Sequence, residues 1–266
     1  MSLKSKTVGA IGALARRAGY YAEKRTDPSQ VRALIERLHP LATEHPLIRM
    51  GPEGDGGYLL PADLDDMEAC FSPGVALISG FESGCAAQGM EVFMADASVD
   101  GPSAHHDRFH FTKKYIGART SDDIMTMDQW VNASLPGSGR DLLLQIDIEG
   151  AEYETFLNMS DDLLARFRVI VAEFHHLADL FNPLFFNLAV ATFDRILQTH
   201  FCVHIHPNNC CGMVTCDDIS VPRVAEFTFL RRDRSVSTSF ATAFPHDLDR
   251  DNTENAPMPL PPIWYQ

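Results

Sequence analysis

The stretch Asp141-Leu142-Leu143-Leu144-Gln145-Ile146-Asp147-Ile148-Glu149-Gly150-Ala151-Glu152-Tyr153-Glu154 runs an apolar segment into four carboxylates, with a glycine among them. Three other apolar runs end in the same kind of chemistry. Glu91–Ala95 is followed by Asp96. Val169–Ala172 leads into Glu173-Phe174-His175-His176, and Cys202-Val203 into His204-Ile205-His206-Pro207-Asn208-Asn209. Carboxylates and imidazoles can move a proton near neutral pH. Oxygen ligands with imidazole also suit a divalent metal such as magnesium, manganese or iron. Strand alternation places Glu173 and His175 on one face, and His204 and His206 on one face. Each residue also has a plainer reading. Asp96 can cap the following turn. Glu149 can hold the N-terminus of a helix starting near Ala151. His204 can pack in a sheet, and the Asn pair can serve a turn.

Such residues converge only if their strands lie side by side. Short apolar strands are expected at Tyr58–Leu60, Ala69–Ser72, Glu91–Ala95, Arg108–Ile116, Leu142–Ile146, Val169–Glu173, Cys202–Ile205 and Val224–Leu230. Helices are expected at Pro28–Leu38, Ile78–Gln88, Ile124–Ala133, Ala151–Leu157, Asp162–Phe167 and Pro183–Thr199. Apolar strands alternating with helices imply a mostly parallel sheet covered on both faces. In such sheets ligands bind beyond the carboxyl ends of the strands, which is where the acids and imidazoles fall. Three parts are expected: a basic arm with helices over 1–48, the α/β domain over 49–235, and an irregular Pro-rich tail over 236–266.

The formal charge is −14 over 266 residues, which argues against a general nucleic-acid binder. No apolar run reaches the ~20 residues of a membrane span. Residues 1–25 hold six basic side chains against one acid, and read as a surface helix or frayed arm. Six cysteines are too sparse for a disulfide scaffold and point to a reducing cytoplasm. Cys210-Cys211 and Cys216 do not have common zinc spacing and are expected to be thiols.

The sequence Leu143–Glu152 resembles the "L-K-I-D-x-E-G-x-E" signature of the FkbM family of S-adenosylmethionine-dependent methyltransferases, in its bacterial branch. Thr126-Met127-Asp128, Phe81-Glu82 and Val92–Ser98 are similar to further stretches of the family pattern. So are Asp55–Tyr58, Glu173–His175, His206–Asn209 and Pro222–Glu226, so that the likeness spans about Arg49 to Arg232. Gln145 stands where a lysine is usual. The resemblance implies a Rossmann-like class I methyltransferase fold: a mostly parallel seven-stranded sheet, helices on both faces, and the last strand antiparallel. It also implies methyl transfer from S-adenosylmethionine to a hydroxyl of a sugar, glycan or small metabolite.

On that reading Gly74, Glu82, Asp96 and Ser98 are the donor-binding residues, with Asp96 on the ribose. Asp147, His175 and His206 are the catalytic candidates. Tyr58, Glu173 and Asn209 face the acceptor, and Glu149 mainly supports the turn into the next helix. A metal, if used, would sit on Asp147, Glu173 and His206. Homo-oligomers are compatible with the sequence. Two other readings use the same residues: a metal-dependent hydrolase built on His204, His206, Asp147 and Glu173, and a ligand-binding α/β domain without catalysis.

Overall fold

The computed structural model describes residues 24–75 and 78–266, and before them Gly12, Leu14, Arg17 and Gly19. The rest of residues 1–23, most of the basic stretch expected over residues 1–25, lies outside the described residues.

Seven strands form the central sheet: β1 (Ala69–Pro73), β2 (Glu91–Ala95), β3 (Phe109–Thr112), β4 (Leu142–Ile146), β5 (Phe167–Phe174), β6 (His200–Pro207) and β7 (Ala225–Arg231). Their spatial order is β3-β2-β1-β4-β5-β7-β6. All pairs from β3 to β5 are parallel, and β7 runs antiparallel between β5 and β6. This is the Rossmann-like methyltransferase topology that the family resemblance implied. The strands are apolar on both sides because both faces are covered. One face packs under α1 (Pro28–Arg37), α3 (Met127–Ser134), α4 (Glu152–Asn158), α5 (Asp161–Arg166) and α6 (Pro183–Thr199). The other packs under α2 (Gly80–Ala87) and a hairpin of Leu47–Met50 with Tyr58–Pro61.

Local chemistry explains several boundaries. Asn182 accepts from the Leu184 and Phe185 amides and Pro183 occupies the first turn, so α6 starts there. Thr126 and Gln129 make a reciprocal capping box at α3. That cap corrects the expected helix over Ile124–Ala133. Ile124-Met125 instead pairs in parallel with Tyr115-Ile116. The expected strand Arg108–Ile116 is accordingly two pieces, Phe109–Thr112 and Tyr115–Ile116.

The tail is irregular, as its prolines require, yet Leu260 and Trp264 are buried. Trp264 packs edge-on to Phe227 and donates from its ring N–H to the Ser220 carbonyl at 3.0 Å. Cys210 and Cys211 are joined as a disulfide, in place of the two expected thiols, whereas Cys70, Cys85 and Cys202 are buried free thiols. No described helix is long and apolar enough to cross a membrane.

Candidate active site

Gly74 brings the first two parts of the site together. It follows β1 with φ +88°, and a Cβ there would lie 1.5 Å from the Asp147 carbonyl oxygen. The Asp147 amide in turn donates to the Pro73 carbonyl at 3.2 Å. The ends of β1 and β4 therefore cross in backbone contact, and only glycine allows it. The space Gly74 frees is taken by the protein's own chain rather than by a ligand.

A cleft of about 690 Å³ opens beside this crossing, lined among others by Gly74, Asp96, Ser98, Ile116 and Asp147. Asp96 ends β2, where its Oδ1 accepts from the Ser98 amide at 2.7 Å and the Ser98 hydroxyl at 2.6 Å. Ser98 thus fixes the rotamer of Asp96, and Oδ2 has no hydrogen bond from the described residues. A carboxylate held by one oxygen at the tip of β2 suits a vicinal diol. The far wall is the two-strand ribbon, through Tyr115, Ile116, Gly117 and Ile124. The sequence reading missed these residues, because two-residue strands carry no periodicity; Gly117 was the one available signal of a break.

Glu82 does not join the cleft. It is buried on α2, where the Ser72 hydroxyl lies 2.6 Å from its Oε1, while its Oε2 has no partner among the described residues. The same hydroxyl lies 2.7 Å from Gln145 Oε1, and Gln145 Nε2 donates to the Tyr58 hydroxyl at 3.3 Å. One serine proton cannot serve two acceptors. Either Glu82 carries a proton, which burial favours by raising its pKa, or the Gln145 amide is turned over. Gln145 in place of a lysine thus links a buried chain from Glu82 to Tyr58. Tyr58 is buried against Phe81. Burial, with the charges of Asp147 and Glu173, raises its hydroxyl pKa.

Beyond Asp147 the rim continues across neighbouring strands. Glu226 pairs with Glu173 on one side and with His206 on the other, so these three side chains share the face covered by the hairpin. Glu173 accepts weakly from Asn208 at 3.3 Å, and His175 Nε2 lies 3.5 Å from it. Glu226, which the sequence reading did not assign, accepts from Asn252 of the tail at 2.6 Å. Burial, reinforced by neighbouring acids, raises Asp147 and Glu173 to about 8 each. Burial also raises Glu226 to about 7, against the opposing charge of His206.

His175 stands among four carboxylates. Nδ1 lies 3.2 Å from Glu152, and Nε2 lies 3.4 Å from Glu149 and 3.9 Å from Asp147. Burial disfavours the imidazolium, but the Glu152 hydrogen bond and the surrounding charges outweigh it and raise His175 to about 9. These groups titrate as one cluster rather than singly.

Three expected placements need correction. Asn209 does not face an acceptor: its amide holds the tail, through Thr253 and the Asn255 carbonyl. His206 does not meet Asp147. Its Nδ1 lies 3.6 Å from Asp249 Oδ1, which His204 also contacts at 2.8 Å. Burial would raise Asp249, but the two imidazoles hold it well below the usual carboxylate range. The expected metal set of Asp147, Glu173 and His206 therefore does not converge, and the hydrolase reading, which needs both histidines beside Asp147, loses its geometry. Among the described residues the trio whose ligand atoms come within 4.8 Å of one another is Asp147, Glu149 and His175. There His175 Nε2 faces the acids directly, 3.4 Å from Glu149 and 3.9 Å from Asp147.

Glu149 does not support the turn either. At φ +56° its side chain is exposed and reaches His175 Nε2 rather than the turn's amides. The backbone amides of Ile148 and Gly150 are held by Glu152, at 3.0 Å each.

Residues 86–200 match the family model described as the methyltransferase FkbM domain. The match takes in Asp96, Ser98, Asp147, Glu152, Glu173 and His175, and leaves out Tyr58, Gly74, His206 and Glu226. No curated protein matches the chain.

Proposed function

We propose that this chain, a methyltransferase by its FkbM domain, transfers a methyl group from S-adenosylmethionine to a hydroxyl of a sugar, glycan or small metabolite. The observation that carries the reading is the continuity of the rim. Asp147 lines the Asp96 cleft and also opens the row that continues through Glu173 and Glu226. A bound sulfonium donor supplies an electrophilic methyl, so the protein has mainly to align and to remove a proton.

Asp96 and Ser98 would hold the ribose hydroxyls, and the apolar ribbon at Ile116 and Ile124 would take the adenine. Asp147 stands where the two halves of the site meet. Its raised pKa makes it a stronger base than an ordinary carboxylate, which suits removal of a hydroxyl proton. His175 balances the charge that Asp147 acquires on ionising. Glu173 and Tyr58 lie on the acceptor side. Glu226, which accepts from Asn252, extends that side towards the tail.

Donor binding tests the first half. Charge-assisted bonds contribute roughly 1.5–3 kcal/mol each, so Asp96→Ala is expected to weaken S-adenosylmethionine binding at least about tenfold, measured by titration calorimetry. Unchanged affinity in a folded variant would remove the ribose assignment. The acceptor class is tested by incubating the enzyme with isotopically methyl-labelled donor and arrays of hydroxylated sugars and metabolites. Label appearing only on amines or thiols would contradict the hydroxyl reading.

A further inference from the structure

Glu152 is fully buried on the first turn of α4. A single oxygen, Oε1, meets three groups: the Ile148 amide at 3.0 Å, the Gly150 amide at 3.0 Å and His175 Nδ1 at 3.2 Å. We propose that Glu152 is the positioning residue of the site, fixing through Oε1 both the turn that carries Asp147 and the Nδ1 proton of His175, so that Nε2 is presented to Asp147, Glu149 and Glu173. Its kinetic consequence rests on the methyl-transfer reading; its structural content does not.

The turn needs such a partner. Glu149 at φ +56° and Gly150 at φ +104° are both left-handed, and the turn between β4 and α4 is closed by a long bond from the Ala151 amide to the Ile148 carbonyl at 3.3 Å. The amides of Ile148 and Gly150, both in partly buried residues, find their acceptor in Glu152 Oε1. A Cβ at Gly150 would come 2.9 Å from the His176 ring, which holds this turn against the end of β5.

The contact to His175 goes beyond capping. Oε1 already accepts from two backbone amides and accepts here as well, so the imidazole donates from Nδ1. When the ring is neutral its lone pair is then on Nε2, the nitrogen facing the reacting side; when it is charged, Nε2 donates there. A carboxylate behind a histidine sets its tautomer in this way in enzymes that use the ring's other nitrogen. The same helix also holds the histidine's backbone, since the Tyr153 hydroxyl donates to the His175 carbonyl at 2.7 Å. The charged groups facing the ring are Glu152 from α4, Asp147 and Glu149 from the turn, and Glu173 from β5, with Glu226 of β7 behind Glu173. Glu152 is the leading influence favouring the imidazolium against burial.

The test uses the full chain with ¹⁵N-labelled histidine and Glu152→Gln. The amide oxygen of glutamine can still accept from the two backbone amides, while the charge is lost. His175 is expected to be Nδ1-protonated in the wild type when neutral. In Glu152→Gln its titration midpoint should fall by at least about one pH unit and the Nε2-protonated tautomer should appear. The kcat–pH profile should shift with it, at unchanged KM for the donor. Lowered thermal stability with an unaltered His175 titration and tautomer would overturn the proposal. So would an Nε2-protonated neutral ring in the wild type, a measurement that stands even if the variant does not fold. Because the resonance experiment uses neither donor nor acceptor, its outcome is separate from whether the protein transfers methyl groups to hydroxyls.

Discussion

Asp147→Asn is expected to leave S-adenosylmethionine affinity within a few-fold of wild type and to cut turnover by a factor of about 10² or more. Asparagine keeps the size of the side chain, and the Asp147 backbone contacts with Pro73 and Gly74 do not depend on its charge. What is lost is the base. The sign of the pH dependence follows from the raised pKa. Asp147 is protonated below its pKa of about 8 and becomes competent as pH rises through it, so wild-type kcat should climb with pH up to that range. A bound sulfonium favours the carboxylate, which places the climb in the donor complex at lower pH than the free-protein value. The asparagine variant should lack this limb. A fully active Asp147→Asn enzyme with the wild-type profile would move the base to another member of the cluster.

Gly74→Ala is expected to be the most damaging single methyl group in the chain. The new Cβ would meet the Asp147 carbonyl at 1.5 Å, a backbone atom that cannot turn aside, at φ +88°. A left-handed non-glycine residue costs about 1–2 kcal/mol and overpacking a further 1–3 kcal/mol, so the loss of stability should be roughly 2–5 kcal/mol by urea denaturation. Because β1 and β4 must separate to admit the methyl, donor binding should fall with it. Gly89→Ala is the control: it also has positive φ, at +92°, but nothing lies within 4 Å of its Cβ. It should cost only the conformational part and leave donor binding unchanged. Equal losses in the two variants would show that the β1–β4 crossing is not tight.

The sheet was legible because its strands are buried on both faces and read as apolar runs, and because their carboxyl ends carry the polar residues. Asp96, Asp147, Glu173 and His175 could be picked out on that ground. The structure brings the last three together, with Asp96 across the cleft. The choice between Glu149 and Glu152 was not legible. Residues two apart share a face in a strand, but two consecutive left-handed residues re-aim the chain, so the carboxylate beside the glycine is exposed and the one on the helix turns in. His206 and Asn209 were misplaced because their partners, Asp249, Thr253 and Asn255, come from a tail some forty residues later with no periodic pattern of its own. Glu226 was quoted in the sequence without a role; its importance depends on β7 inserting between β5 and β6, a pairing that local sequence does not specify. The two-residue strands of the ribbon were likewise too short to be read.

The most direct test of the account is a crystal structure of the protein with S-adenosylhomocysteine, the product left after methyl transfer. Its ribose hydroxyls should lie on Asp96, its adenine against Ile116 and Ile124, and its sulfur should face Asp147, with an open path from there towards His175 and Glu173. A homocysteine sulfur turned away from Asp147, or a ligand seated elsewhere on the protein, would contradict it.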